Sequence, residues 1–263
     1  MSTLLPLPNT NVPVAKHTSF EISPSGSMTF TSTMGKDEKP FIHISASSHS
    51  LKIDVSEKHG KILGDSWFGG VTFSHDERFI AYVALPKSAK VTTSFDAEKN
   101  KFPNKFEYKE DWGEKFTGVV STVICIVDTV TGNVRVLSGT DNETIGAPVF
   151  SIITGTGTQT NSANNYTLVY TSWEHNPRKL GMIYCYQRPC ALYSVTLDWI
   201  LANQEQETAE VDITESKDIV NYGLEGHALC LTASLAQARS ARFSPDGKYM
   251  IYIGRRDSLG SHK

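Results

Sequence analysis

Two stretches far apart in the chain share one alternation of apolar and polar positions: Phe73-Ser74-His75-Asp76-Glu77-Arg78-Phe79-Ile80-Ala81-Tyr82-Val83 and Phe243-Ser244-Pro245-Asp246-Gly247-Lys248-Tyr249-Met250-Ile251-Tyr252-Ile253. Each reads as a strand ending in Phe-Ser, a polar turn, and a second strand with an aromatic near its start and a Tyr near its end. Ser and Asp side chains bond the backbone of such a turn, while Pro and Gly supply its preset and permissive dihedrals, so the two strands should pair as a hairpin. Weaker copies stand at Ile22-Ser23-Pro24-Ser25-Gly26 and Val149-Phe150-Ser151.

A second hairpin is expected in each unit, clearest at Val123-Ile124-Cys125-Ile126-Val127-Asp128, then Thr131-Gly132-Asn133, then Val134-Arg135-Val136-Leu137. Its first strand is apolar at both odd and even positions. A sheet open to water on one face alternates, so this strand must be covered on both faces. Ala191 to Leu197 is the equivalent strand of the next unit. Two hairpins per unit give a four-stranded antiparallel blade, and the pattern predicts an all-β, incomplete β-propeller with about three blades and the start of a fourth.

The repeats begin at Ile22, Phe73, Phe150 and Phe243, separated by 51, 77 and 93 residues. A compact blade takes about 40 to 50 residues, so the later units carry loops. Lys87 to Lys115 holds seven Lys and six acidic residues, and Thr154 to Asn165 is an uncharged Gly, Thr, Ser and Asn tract. Residues 1–16 lack periodicity and read as a poorly ordered segment, leaving 17–263 as the propeller domain. The fourth unit reaches only its second strand before Lys263, so an array cut in mid-blade is expected, with an apolar face open at each end.

Composition narrows the class. The 263 residues are 39% hydrophobic and 20% charged, with a net charge of −3, which is ordinary for a globular protein and gives no broad positive field for nucleic acid. Val119 to Val127 is the longest apolar stretch and is far shorter than the roughly 18 residues of a membrane span. Pro6 and Pro8 break the first apolar run, and no basic residue precedes Lys16, so no secretory signal is read and a cytoplasmic location is expected. Cys125, Cys185, Cys190 and Cys230 are too sparse for a disulfide framework and read as free thiols. Asn142-Glu143-Thr144 and Asn165-Tyr166-Thr167 fit the glycosylation pattern but read as polar loops.

Candidate chemistry is thin. The nearest approach to the G-x-S-x-G nucleophile turn is Gly64-Asp65-Ser66-Trp67-Phe68, where Phe68 stands in place of the second Gly, so Ser66 reads as part of a structural loop. His175, Cys185, Cys190, His227 and Cys230 include metal-ligating types, but their spacing lacks a paired motif, and they read as buried thiols and loop histidines. No catalytic, cofactor-binding or metal residue is therefore assigned. Trp173, His175, Arg178, Lys179 and Arg188 form either a recognition patch or a structural corner, the corner being the simpler reading. Glu110-Asp111-Trp112-Gly113-Glu114 would line an entrance or a subunit contact.

Trp173, His175, Pro177, Lys179, Leu180, Gly181, Cys185, Arg188, Leu192 and Tyr193 together resemble a segment of the N-terminal propeller domain of acylaminoacyl-peptidases, serine hydrolases of the prolyl oligopeptidase family. Ser23-Pro24-Ser25-Gly26, Glu57-Lys58-His59-Gly60, Phe68-Gly69, Glu107-Tyr108 and Glu110 to Glu114 resemble further pieces in the same order, from about Ile22 to Ile253. The resemblance implies an enzyme that removes N-acylated, typically acetylated, amino acids from short peptides. It also implies a Ser, His and Asp triad in a C-terminal α/β-hydrolase domain absent from this chain, and no metal or organic cofactor. The propeller's implied share is to restrict access by size, with N-acylated peptides as substrates and a homo-oligomer possible. The alternative is a free-standing propeller that serves as an interaction scaffold.

Overall fold

The computed structural model describes residues 14–35, 37–87, 108, 110–151, 166–175, 178–182, 188–201 and 221–256. The loop tracts within 88–107 and 154–165 and the start of the chain, residues 1–13, lie outside them. The chain is all-β. In order, its strands are β1 (Val14–Ile22), β2 (Met28–Gly35), β3 (Pro40–Ala46), β4 (Ser50–Asp54), β5 (Val71–Phe73), β6 (Phe79–Ala84), β7 (Val123–Asp128) and β8 (Val134–Ser138). They continue with β9 (Glu143–Ser151), β10 (Thr167–Glu174), β11 (Cys190–Thr196), β12 (Asn221–Gly223), β13 (Ala228–Cys230), β14 (Gln237–Phe243) and β15 (Met250–Arg255). A four-residue helix α1 (Asp198–Leu201) follows β11. Strand β1 begins at Val14, inside the segment expected to lack order, because it pairs antiparallel along β2.

Three sheets each contain four antiparallel strands: β1-β2-β3-β4, β5-β6-β7-β8, and β9-β10-β11 with β13 on β11. Two additions go beyond the expected hairpin pairs. Strand β12 crosses from the third unit to lie parallel on β8, covering what would be an unpaired edge of the second sheet. The hairpin β14–β15 joins the third sheet through one parallel pairing, Cys190 with Gln237. The first strands of the units contact one another in succession, β1 with β5, β5 with β9, and β9 with β14.

The sheets stack face to face. Phe79, Ala81 and Val83 of β6, with Ile124 and Ile126 of β7, share a core with Phe150, Leu168 and Tyr170 of the third sheet. Their alternates Ile80, Tyr82, Cys125 and Val127 share another core with Phe30, Ile42 and Ile44 of the first. All six residues of β6 and all six of β7 are buried, as their lack of alternation predicts. A third core, Val169, Leu192, Ala238 and Ala241, lies between the third sheet and the last hairpin.

The Phe-Ser turns repeat atom for atom. Ser74 Oγ donates to Asp76 Oδ1 and Ser244 Oγ to Asp246 Oδ1, both at 2.6 Å. The backbone N–H of Phe79 and of Tyr249 donates to the Ser Oγ at 2.9 and 3.0 Å, and Met28 does so to Ser23 at 3.1 Å. Each turn has one left-handed residue: Gly26 (φ 74°), Glu77 (φ 59°) and Gly247 (φ 70°). Glu77 departs from Gly because its carboxylate reaches the neighbouring turn, accepting from Ser25 N at 2.8 Å and from the Ser25 and Ser27 hydroxyls at 2.9 Å. Partial burial works against ionisation, yet these bonds hold the Glu77 carboxyl below its ordinary range. Asp76 accepts from Tyr166 Oη at 2.5 Å, so the middle turn is bonded to both neighbouring units.

A second repeat was not visible in the sequence. Three residues before Phe73, Phe150 and Phe243 stand Gly70, Ala147 and Ser240, all with positive φ (140°, 47° and 59°). The ladder slips beside Ala147 and Ser240, and β1 slips between His17 and Ser19, shortly before Ile22. Strands β1, β9 and β14 thus each carry a bulge, which bends the strand and increases its twist.

The ends of the stack differ. On the last hairpin, Tyr249, Ile251 and Ile253 are exposed; their counterparts Phe79, Ala81 and Val83 are covered by the third sheet. The far face of the first sheet carries Thr29, Thr31, Thr33, His43 and Ser45, with Thr33 Oγ1 3.2 Å from His43 Nε2. Of its apolar residues, Phe20 and Ile22 are exposed. That face is therefore mostly polar and its Thr, His and Ser side chains are buried, where an apolar face open to water was expected at each end.

Left-handed geometry costs a residue with a side chain roughly 1–2 kcal/mol, against about 0.5–1 kcal/mol of backbone entropy lost by Gly. Ala147→Gly is therefore expected to raise stability by up to about 1 kcal/mol, and Ala147→Val to lower it by about 2 kcal/mol or more. Urea denaturation of the three proteins measures both.

Candidate functional site

The segment after Trp173 folds onto the loop that holds Trp112, and the two meet beside Phe68. Asp65 Oδ1 accepts from the N–H groups of Trp67 and Phe68, both at 2.8 Å, closing the turn that presents Phe68. Ser66 is exposed in that turn. The Phe68 ring is fully buried against Trp173 (5.1 Å between centroids), Phe116 (4.9 Å) and Trp112 (5.6 Å). The edge-to-face arrangements suit the aromatic quadrupoles. Ala147 N–H donates to Phe68 O at 2.9 Å, and a Cβ on Gly146 would lie 2.4 Å from that oxygen. Only Gly permits this approach of the second unit to the third.

Residues 111–119 are closed by one carboxylate. Asp111 accepts from Gly113 N–H at 2.9 Å and Gly118 N–H at 2.6 Å, and both glycines have positive φ. A single 3₁₀ turn, Glu114–Phe116, lies between them. The result turns Trp112, Phe116 and Val119 into the core. Trp112 keeps its polar atom satisfied by donating Nε1–H to Thr144 Oγ1 at 3.0 Å.

Thr144 in turn lies 2.7 Å from His175 Nε2, and His175 Nδ1 lies 3.1 Å from the Asp141 carbonyl. A carbonyl only accepts, so Nδ1 carries the proton and Nε2 accepts from the Thr144 hydroxyl. The relay runs in one direction, Trp112 to Thr144 to His175 to Asp141. Burial, and then the Lys179 ammonium, lower the His175 pKa and favour this neutral form.

The charged residues of the corner bond mainly to backbone. Arg188, 8% exposed, donates Nε–H to Gly181 O at 2.8 Å and Nη2–H to the same oxygen, while its buried Nη1 has no hydrogen-bond partner among the described residues. Lys179 N–H donates to Glu110 Oε1 at 3.1 Å, and its Nζ donates to Glu110 O at 3.4 Å. The Glu114 carboxyl packs so closely on Gly181 that a Cβ there would lie 2.5 Å from it.

The structure thus joins Trp173, His175, Lys179 and Arg188 with Glu110, Trp112 and Glu114, two motifs some sixty residues apart. Their bonds tie loops to one another, as a structural corner requires. Arg178 is exposed, and Pro177 and Cys185 lie outside the described residues. Thr144, which reads in sequence as part of a glycosylation pattern in a loop, is fully buried in β9. The other candidate ligands are dispersed: Cys190 is buried, with its thiol pushed up to about 11 by desolvation, and His227 stacks on Trp199 at 4.0 Å. Cys230 contacts Tyr193. Among the described residues, no three His, Cys, Asp or Glu side chains form a metal-binding group, no helix is long and apolar enough to cross a membrane, and Cys125, Cys190 and Cys230 are free thiols.

Residues 6–263 match the sequence family described as acylamino-acid-releasing enzyme, N-terminal domain. Among curated proteins, acylamino-acid-releasing enzyme 2 of Oryza sativa subsp. japonica is 30% identical over 259 residues, covering 91% of this chain and 32% of that protein. The acylamino-acid-releasing enzyme of Arabidopsis thaliana is 26% identical over 257 residues, covering 92% and 31%. That of Rattus norvegicus is 30% identical over 201 residues, covering 66% and 26%. The chain spans about a quarter to a third of the length of these relatives.

Replacing Thr144 by the isosteric Val would leave the buried Trp112 Nε1–H and the half-buried His175 Nε2 without their shared partner. At about 1–3 kcal/mol for the buried indole N–H and less for the half-buried imidazole, Thr144→Val is expected to cost about 2–4 kcal/mol. Thr144→Ser, which keeps the hydroxyl, should cost about 1 kcal/mol. Chemical denaturation of the pair separates loss of the hydroxyl from loss of the methyl.

Proposed function

We propose, from the premise that this chain belongs to the acylamino-acid-releasing enzyme family as its N-terminal domain, that it is the propeller portion of a serine peptidase that releases N-acylated, chiefly acetylated, amino acids from short peptides. The observation that carries the propeller reading is the order of the sheets. Successive antiparallel units stack face to face while their first strands contact one another in turn. That is the relation of blades around an axis.

In this reading residues 17–263 form one domain whose part in the reaction is steric. The nucleophile, base and oxyanion donors belong to an α/β-hydrolase domain, and this chain supplies no catalytic residue and binds no cofactor or metal. The first strands would line the passage through which an N-acylated peptide reaches that domain, and the rigidity of the stacked sheets would limit its width. The aromatic corner supports such a role, since Phe68 and Gly146 fix the second unit against the third next to those first strands. A cytoplasmic location and a possible homo-oligomer accompany this reading, with neither nucleic acid nor membrane as partner.

The test is an assay of the purified chain against an N-acetyl-amino-acid anilide. The expected result is no turnover. Turnover that Ser66→Ala abolishes would place a nucleophile in this chain and overturn the reading; turnover unchanged by Ser66→Ala would identify a contaminating hydrolase.

A further inference from the structure

We propose that the outer edge of the second sheet holds a small oxyanion, a phosphate or a carboxylate, between the Arg135 guanidinium and the Trp199 indole N–H. The inference is independent of the peptidase reading, because β8 and β12 form the edge of that sheet opposite β5, away from the first strands that would line a passage. Arg135 stands in β8 between Val134 and Val136, which both pack into the core shared with the first sheet. Alternation turns Arg135 to the other face with Leu137, toward the third unit. It is 9% exposed and faces Ile126 across the ladder. Among the described residues it forms no ion pair, and its buried Nη1 meets no acceptor. A guanidinium keeps its charge in a protein, so loss of a proton does not relieve the burial. A buried charge of this kind is costly until a counter-charge reaches it.

The second donor comes from the third unit. Tyr222 of β12 pairs with Leu137, the next residue on Arg135's face of β8. Trp199 of α1 packs on Tyr222 with 5.7 Å between ring centroids, and its Nε1–H is likewise buried without an acceptor among the described residues. Leu197 and Ile200, on either side of Trp199 in the chain, belong to the same core as Leu137. The exposed His227 stacks on Trp199 at 4.0 Å, which leaves the indole one ring from solvent.

The nearest described carboxylates along these elements do not serve Arg135. Asp128, at the end of β7, accepts from Arg78 Nη2 at 2.7 Å. Burial raises the Asp198 carboxyl beside Trp199, whereas a guanidinium in contact would hold it down. The chemistry of the two donors then selects the ligand. A guanidinium fork presents parallel N–H groups to two oxygens of one carboxylate or phosphate, and the indole N–H adds a third donor. Neither group accepts a hydrogen bond, so an anion satisfies both and a cation satisfies neither.

The measurement is the indole N–H signal of Trp199, followed by NMR in the 15N-labelled 263-residue chain and assigned with Trp199→Phe. Inorganic phosphate and acetate are titrated separately, against chloride at equal ionic strength. A saturating shift is expected: with phosphate alone the site takes phosphate, with acetate alone a carboxylate, and with both any small oxyanion. Arg135→Met should abolish the shift, and in chloride it should unfold at a urea concentration no lower than the parent, because it replaces an unpaired buried charge by an apolar chain. If Arg135→Met does not fold, Arg135→Lys, which keeps the charge and loses the fork, should bind about tenfold more weakly. A signal unmoved by either anion, a shift that persists in Arg135→Met, or an unchanged affinity in Arg135→Lys would overturn the site. An unmoved signal together with a less stable Arg135→Met would assign the counter-charge to the chain itself, whose residues 202–220 include six acidic side chains.

Discussion

Burial of the second sheet on both faces is the constraint from which the rest of this structure follows. Strands β6 and β7 contribute eleven buried apolar positions, and a fully buried Val, Ile or Phe side chain is stabilised by roughly 1.5–3 kcal/mol relative to water. Such a sheet has no stable position at a surface. It requires one sheet on each side, and the first and third supply complementary apolar faces through Phe30, Ile42 and Ile44 and through Phe150, Leu168 and Tyr170. The last hairpin is added on the far side of the third sheet by the same logic. Stacking is thus the main source of stability, and the strand edges are handled separately, as β12 on β8 shows.

Apolar stacking fixes separation but only weakly fixes rotation of one sheet over the next. Polar contacts at the rim supply that. The Glu77 carboxylate reaches the turn of the first unit, and Asp76 beside it bonds Tyr166 of the third. Each contact involves a side chain in the middle turn, where Glu77 accepts left-handed geometry that Gly26 and Gly247 accommodate without a Cβ. Near the other ends of the strands the lock is aromatic and backbone-based, with Phe68 held against Trp173 and its carbonyl bonded to Ala147. Sheets fixed at both rims behave as one body, and this is what a passage of defined width would need.

Much of this was legible in the sequence because it rests on side-chain type. Hairpins at Phe73 to Val83 and Phe243 to Ile253 follow from alternation and turn residues, and the covered strand at Val123 follows from its lack of alternation. The corner residues Trp173, His175, Lys179 and Arg188 stand out by their density. What was hidden rests on backbone geometry or on distant pairing. Ala147 and Ser240 are left-handed without being Gly, so no residue marked the bulges. Thr144 sits in a glycosylation pattern, and only the approach of Trp112, thirty-two residues earlier in the chain, shows it as a buried relay. The three residues of β12 owe their strand conformation to β8, and the polar far face of the first sheet emerges only when Thr29, Thr31 and Thr33 are seen to share a side with His43 and Ser45.

The central claim, that the second sheet is covered on both sides, is tested most directly by placing a charge on each face of β7 in turn. Ile126 faces the third sheet and Val127 the first, and both are fully buried. An unpaired carboxylate in either core should cost several kcal/mol. Thermal and urea denaturation of Ile126→Asp and Val127→Asp are therefore predicted to show severe destabilisation or failure to fold in both proteins. If either variant keeps its stability within about 0.5 kcal/mol of the parent, as surface substitutions do, that face is open to water and the stacked arrangement is wrong.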